Sequence, residues 1–244
     1  LGQGVSLTGA GRELLGPARR MLSMAEVARE QVRHAGGSAS QHVSVGIMPS
    51  VSAAVPGAIR RVRGQFPEAQ VRVHLGSAAE LAQGVVETLI DAAVVTMPVE
   101  DQRLLTETVA TEHLLLATPE GMAVDAARPL AGLGDAELIV IDDADGPPDL
   151  LAEVARRAGR KPGVRVPWSG LELSLALVRA GLGAALVSEL AARAWKGGGV
   201  AFWGLGAEGP SRELACVWHV GRERSELQRA MVAAIRESCE GLMG

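Results

Sequence analysis

Apolar and small or polar residues alternate through Val43, Val45 and Ile47, and the alternation stops at Pro49 and Ser50. The pattern predicts a β-strand that ends in a tight polar turn. Pro56 then opens a helix that runs to Arg63 and ends before Gly64 and Pro67; a proline is harmless in a first turn, where its missing N–H is not used. Alternation returns at Val71, Val73 and Leu75, and Ser77 is placed to cap a helix over 78–90. Residues 91–95 form a short apolar run, which reads as a buried strand, stopped by Thr96, Met97 and Pro98. The result is β-α-β-α-β over residues 43–96, the half-unit of a doubly wound sheet.

Two extended segments follow, 104–109 and 113–117, and a short turn is expected between them. Residues 122–137, rich in Ala, Gly and Asp, read as loop or short helix. The pattern then repeats: strand 138–141, helix 149–158, strand 164–166, helix 171–180 and strand 184–187. Ser188 is placed to cap a helix reaching Trp195. Residues 213–220 read as a strand returning across the molecule. Residues 224–242 read as a closing helix with Leu227, Met231, Ala234, Ile235 and Cys239 on one side. Two β-α-β-α-β units imply two similar lobes with a cleft between them.

A long helix is expected ahead of both units, starting after the N-cap residue Thr8. Leu15, Ala18, Leu22, Ala25 and Val32 follow one another at spacings of three, four, three and seven, a heptad seam interrupted by Arg29. Leu14, Met21 and Ala28 widen the stripe. A helix of roughly 27 residues is ~40 Å long, more than one small domain needs, so the seam is expected to pack on a partner helix; the alternative is packing on its own body. Gly36, Gly37, Ser38, Ala39 and Ser40 read as a flexible linker. The chain thus divides into 1–35, a linker at 36–42, and 43–244.

Strand ends carry the candidate chemistry. Ser50 (with Ser52), Ser77 and Thr96 follow three successive strands of the first unit. Helix starts there leave free N–H groups and a positive dipole end, and open α/β sheets bind ligands beyond the carboxyl ends of their strands. A small-molecule site is expected at this edge; the plainer alternative is that these hydroxyls only cap helices and fill turns. In the second unit Asp142, Asp143 and Asp145 cluster at one strand end and Trp168 and Ser169 at the next. Such carboxylates do acid–base work or hold a cation, or simply form a solvated turn. Trp168 stacks on a ligand or fills a hinge core.

The 244 residues are 48% hydrophobic but include only two Phe, four Trp and no Tyr, so a sizeable core must be built from Leu, Val and Ala. A net charge of −4, with no basic patch interleaved with aromatics, argues against direct nucleic-acid binding by this stretch. Cys216 and Cys239 make neither a metal-spaced pair nor a disulfide framework, which fits a reducing cytoplasm. His34, His42, His74, His113 and His219 never pair at ligand spacing, so no metal site is expected. There is no Gly-x-Ser-x-Gly elbow and no phosphate loop, and Gly181-Leu182-Gly183 follows a helix rather than a strand. Neither catalysis nor a cofactor is expected. No apolar run of about 18 residues is present, so no membrane span is expected, and no signal peptide is visible. The chain starts at Leu1 rather than Met and reads as a fragment.

Val5-Ser6-Leu7-Thr8-Gly9-Ala10-Gly11-Arg12-Glu13-Leu14-Leu15 resembles the junction between the winged helix-turn-helix and the linker helix of LysR-type transcriptional regulators. Gly9 replaces the acidic residue often found after the Thr. Three further stretches resemble the same family: Val45 to Val51 its first effector-domain strand and ligand loop, Leu89 to Val95 a later strand start, and Leu177 to Val187 a late helix–glycine–strand element. Together they cover nearly the whole chain.

The resemblance implies an α/β fold of the type 2 periplasmic-binding-protein class: two Rossmann-like lobes joined by a crossover hinge and preceded by a long linker helix. By that analogy lobe one holds 43–117 and 211–244, and lobe two holds 118–210. The DNA-binding domain would lie upstream of Leu7. An effector would sit near Ser50, Val51, Ser52, Ser77, Thr96, Met97, Asp142, Trp168 and Ser169. Thr96 stands where some members carry an Arg for a carboxylate, so a strongly acidic effector is not implied. The family dimerises through its linker helix, here Leu15, Ala18, Leu22, Ala25 and Val32, and forms tetramers through its effector domains. The expected function is the effector-sensing and oligomerisation part of a cytoplasmic regulator that reaches promoter DNA through its N-terminal domain, as a homodimer or homotetramer, with no membrane association. A solute-binding protein of a transport system is the main alternative, opposed by the missing export signal and by the seam. An enzyme on the same fold has only Asp142 and Asp143 as a foothold.

Overall fold

A computed structural model describes residues 8–11, 14, 17, 18, 21, 25, 42–130, 133, 136–142, 159, 162–167, 170–206 and 209–244. Residues 36–41 of the expected linker and the expected helix 149–158 lie outside the described residues, while His42, placed in the linker, is the first residue of a strand. In the first segment, residues 9–11, 14, 17, 18, 21 and 25 are helical, and Gly11 N donates to Thr8 Oγ1 at 3.1 Å, so Thr8 caps as its residue type predicts. Leu14 and Met21 are each 61% exposed, Ala18 is half-buried and Ala25 is exposed. Leu15, Leu22 and Val32 lie outside the described residues.

The alternating apolar segments form nine strands among the described residues. β1 (His42–Ile47), β2 (Gln70–Leu75) and β3 (Ala92–Thr96) are parallel. β4 (Leu104–Pro119) and β9 (Ser211–His219) run antiparallel beside them. β5 (Leu138–Asp142), β6 (Pro162–Pro167) and β7 (Ala184–Ser188) are parallel to each other. The sheet order is β2-β1-β3-β9-β4-β7-β5-β6, and β8 (Val200–Gly204) pairs with the last part of β4.

β4 corrects the reading of two segments with a turn between them. It is one strand of 16 residues, pairing with β9 through its first part and with β7 and β8 through its last. Its register shifts between Thr108 and Ala110 without breaking the strand. No Gly, Pro, Asn or Asp interrupts residues 104–117, and past the register shift the exposed Thr111 and His113 alternate with the buried Ala110, Glu112 and Leu114.

The strand directions position the site. β3 is antiparallel to β9, and β9 is antiparallel to β4, so β3 and its partners β1 and β2 run in the same sense as β4. β7 is antiparallel to β4, so β7, β5 and β6 run the opposite way. The carboxyl ends of both parallel sets therefore face each other across the middle of β4.

The helices follow their sequence signals, with shifts at their ends. β1 is followed by a 3-10 turn at Pro49–Ala54 and then by α1 (Val55–Gln65), which passes through Gly64 and stops at Phe66, before Pro67. α2 (Ala78–Val86) starts at a capping box: Ser77 Oγ accepts from Glu80 N at 3.2 Å, and Glu80 Oε2 accepts from Ser77 N at 2.9 Å. It ends four residues short of the predicted Ile90. Thr88 has φ 59°, and Ile90 N folds back to Gly84 O at 3.2 Å. Gly84 permits this return, since a Cβ there would meet Ile90 Cδ1 at 2.8 Å. α3 (Leu171–Arg179), α4 (Glu189–Ala194) and α5 (Glu226–Met243) complete the set among the described residues of 42–244. Ser188 and Ser225 cap the last two, at 3.1 Å to Ala191 N and 3.2 Å to Gln228 N.

One apolar cluster fills the first half, drawing Val45, Ile47, Val94 and Val217 from the sheet and Val62, Leu81, Met231 and Ile235 from α1, α2 and α5. The second half has two clusters, one around Leu116, Leu138 and Leu186 and one around Ile139, Leu175 and Val187. The neighbours Ile139 and Leu138 fall in different clusters, as a strand buried on both faces requires. Leu190 of α4 belongs to the first cluster although α4 follows β7, so this helix bridges the halves. Among the described residues no helix is long and apolar enough to cross a membrane, and no group of three His, Cys, Asp or Glu residues is placed to hold a metal.

Candidate functional site

Strand register places the first-half candidates on one edge. Ile47 is level with Leu75 on β2 and with Val94 on β3, so the residues after each strand emerge on the same side. Ser50 and Val51 lie in the 3-10 turn, with Val51 fully buried. Ser50 Oγ is buried and has no hydrogen-bond partner, an unusual state for a hydroxyl that water cannot reach. Thr96 ends β3 half-buried, and Met97 follows it, its N–H donating to Glu213 O at 2.9 Å ahead of a cis Met97–Pro98 peptide.

Two of the expected hydroxyls are engaged locally. Ser52 Oγ donates to Pro49 O at 2.7 Å within its own turn. Ser77 is buried, with its oxygen held in the capping box. The edge thus brings together Ser50, Val51, Thr96 and Met97, while Ser52 and Ser77 shape the turns around them. On the opposing side, Asp142 ends β5 next to Pro167 of β6. The Asp142 side chain and the residues Asp143, Asp145, Trp168 and Ser169 lie outside what is described.

Two groups here were not singled out from sequence. Met48, between β1 and the 3-10 turn, accepts on Sδ from Thr96 N at 3.2 Å and from Thr96 Oγ1 at 3.4 Å. Glu112, at the midpoint of β4, is fully buried and accepts from Arg212 Nε at 2.8 Å and from Leu190 N at 3.1 Å. Period-two alternation gives a signal for Glu112, since it falls in step with the buried Ala110 and Leu114. Nothing local marks Met48, whose importance comes from Thr96 in a distant segment.

A second polar group joins β1, β2 and the start of β3. Ser44 Oγ and His74 Nε2 are 2.9 Å apart on β1 and β2. Asp91 Oδ2 accepts from Ser44 N at 2.8 Å, and the other oxygen of that carboxylate faces Arg222 Nη1 at 3.6 Å. The group straps β1 to β2 and to the start of β3. Burial is the main cause holding the His74 pKa below its ordinary value; Arg72 acts in the same direction and Asp91 against it. Cys216 on β9 and Cys239 on α5 are free, fully buried thiols whose pKa values burial pushes up to about 12.

The family model of the LysR substrate binding domain matches residues 36–240. A probable hydrogen peroxide-inducible genes activator of Streptomyces viridosporus is 24% identical over 245 residues, covering 98% of this chain and 78% of that protein. The DNA-binding transcriptional dual regulator OxyR of Escherichia coli K12 is 24% identical, covering 97% of this chain and 79% of its own length. Among solved structures, CbnR, a LysR family transcriptional regulator, superposes with a TM-score of 0.72 at 22% identity, covering 96% of this chain and 82% of that one. The chain belongs to the LysR substrate-binding domain family and is the effector-binding part of a LysR-type transcriptional regulator.

Proposed function

We propose that a small organic effector binds between the facing strand ends and shifts the setting of the two lobes. Ser50, Val51, Thr96 and Met97 form its first-lobe wall, with Ser52 and Ser77 supporting them. Asp142, Trp168 and Ser169 form the second-lobe wall. The lobes are 43–117 with 211–244, and 118–210. A ligand moves such an equilibrium only by its difference in affinity for the two settings. The shift would pass to the linker helix, where Leu15, Ala18, Leu22, Ala25 and Val32 pair with a second chain, and from there to the DNA-binding domains on a promoter. The protein acts in the cytoplasm as a dimer or tetramer, by binding rather than by turnover.

The observation that carries this reading is the buried, unpartnered Ser50 hydroxyl on the edge where the strand ends face each other. When the 3-10 turn moves to admit a ligand, a polar ligand atom supplies the partner that the closed fold leaves out. Hydrogen peroxide is a different signal, suggested by the name of a relative that activates hydrogen peroxide-inducible genes, and a thiol is a group that it would oxidise. Two fully buried thiols held protonated argue against it in this chain.

A thermal-shift screen against small organic acids, amino acids and aromatic metabolites tests the proposal. A binder at a hundred times its Kd adds about 2.7 kcal/mol to the folded state. The expected result is a hit that disappears in Ser50→Ala and in Thr96→Val, both folded. A hit that survives both substitutions, or a blank screen across all three classes, contradicts the reading.

A further inference from the structure

The donors of Thr96 rest on an unusually weak acceptor. Its N–H and its hydroxyl both point at Met48 Sδ, at 3.2 and 3.4 Å. A thioether accepts weakly, whereas carbonyl and carboxylate oxygens accept strongly. Nearby donors at the same edge have oxygen partners: Met97 N finds Glu213 O at 2.9 Å, and Glu80 N finds Ser77 Oγ at 3.2 Å.

Met48 is a buried member of the first-half core whose side chain can change rotamer. Its backbone is fixed, since its carbonyl accepts from Val51 N at 3.0 Å to open the 3-10 turn. Its side chain is unbranched, with three rotatable bonds, so it can repack where a branched residue could not. It is 8% exposed and lies beside the end of β3, next to the turn that holds the unpartnered Ser50 hydroxyl.

We propose that Met48 is a placeholder whose thioether occupies the two Thr96 donors until an acceptor oxygen of the effector, from a carboxylate or a carbonyl, displaces it. This rests on the effector site lying at these strand ends. The effector class follows from the donors: a molecule that presents an oxygen acceptor to Thr96 exchanges with the sulfur, and one that presents only an ammonium group does not. Displacement turns the Met48 side chain away from β3, beside the turn that carries Ser50 and Val51.

The whole chain labelled with ¹⁵N and with ¹³C at the methionine methyl groups tests this, with acetate as the probe and methylammonium as the donor-only control. Seven methionines give seven methyl signals, and Met48→Leu assigns the one in question. Acetate is expected to move the Thr96 amide and the Met48 methyl signals together, and methylammonium neither. Met48→Leu, which keeps the volume and removes the acceptor, is expected to lower the half-saturating acetate concentration about threefold or more. Thr96→Val, which removes the hydroxyl and keeps the N–H, is expected to weaken the methyl response. Unchanged acetate affinity in a folded Met48→Leu protein, a Thr96 amide shift with the Met48 methyl still, or no response of either signal would overturn the placeholder. If Met48→Leu fails to fold, nuclear Overhauser contacts from the methyl to the Thr96 amide assign the signal instead, and the wild-type titration decides. Failure of the effector site itself is read separately, from the metabolite screen.

Discussion

Glu112 and Arg212 are cross-strand neighbours on β4 and β9, joined by Arg212 Nη2 at 2.7 Å and Nε at 2.8 Å to the same carboxylate oxygen. The other oxygen accepts from Leu190 N in the first turn of α4, whose side chain enters the first-half core. One fully buried carboxylate therefore ties the midpoint of the crossover strand to β9 and to the bridging helix.

Breaking a buried ion pair from one side leaves an uncompensated charge, whereas replacing both partners with apolar groups is often tolerated. Arg212→Met is expected to destabilise the chain by about 3–5 kcal/mol. The double variant Glu112→Leu with Arg212→Met should be less destabilised than Arg212→Met alone. Urea unfolding of the four proteins in the cycle checks this; simple additivity of the two single effects would deny the pair its role.

His74 sets a pH dependence. Its folded pKa lies below the ordinary 6.5, mainly through burial. Below pH 6.5 the unfolded chain binds the proton more readily than the folded one, so stability is full above that value and is lost as pH falls through the folded pKa. The urea midpoint of the wild type should drop between ~pH 7.5 and ~pH 5.5, and His74→Gln should show a shallower drop over that window. Equal slopes would remove His74 as the cause.

Both thiols should be silent in the folded state. With pKa values pushed up to about 12 and both side chains fully buried, the thiolate fraction at pH 8 is about 10⁻⁴. Labelling by a disulfide reagent should follow global unfolding, accelerating in urea. Rapid modification of either cysteine in native buffer, or a change in oligomeric state on mild peroxide treatment, would restore thiol oxidation as a signal.

Gly46 lies where β1, β3 and α2 meet. A Cβ there would stand 2.8 Å from Leu81 Cδ2 and 2.9 Å from Ala93 Cβ. Leu81 can swing its end away, but Ala93 is fixed in the neighbouring strand. Gly46→Ala should cost about 1–3 kcal/mol by overpacking. A melting temperature equal to wild type would mean that the two strands separate more easily than their packing implies.

Local chemistry made much of this fold readable. Val43, Val45 and Ile47 alternate as a strand must, and the serines at 77 and 188 cap the helices their positions suggest. The continuity of β4 was not readable, because its polar middle is held by a residue 100 positions away. A lone Glu between apolar segments looks like a turn until Arg212 neutralises it. The end of α2 escaped for a similar reason: residues 87–90 keep the helical pattern, but Ile90 packs back onto Gly84. At the candidate site the sequence showed hydroxyls at strand ends but not their engagement. Which serine keeps a free hydroxyl depends on the capping box of Ser77 and on the bond of Ser52 to Pro49. Met48 became visible only once β1 and β3 were known to be adjacent.

The central claim is that an effector binds where the two sets of strand ends face each other. Hydrogen exchange of the whole chain, with and without a compound that raises its melting temperature, tests this most directly. The account predicts slowed exchange in peptides covering 47–52 and 95–98 and around the midpoint of β4, with no change at the β2 edge. Protection absent from those peptides, or confined to a surface such as the outer face of α5, would contradict it.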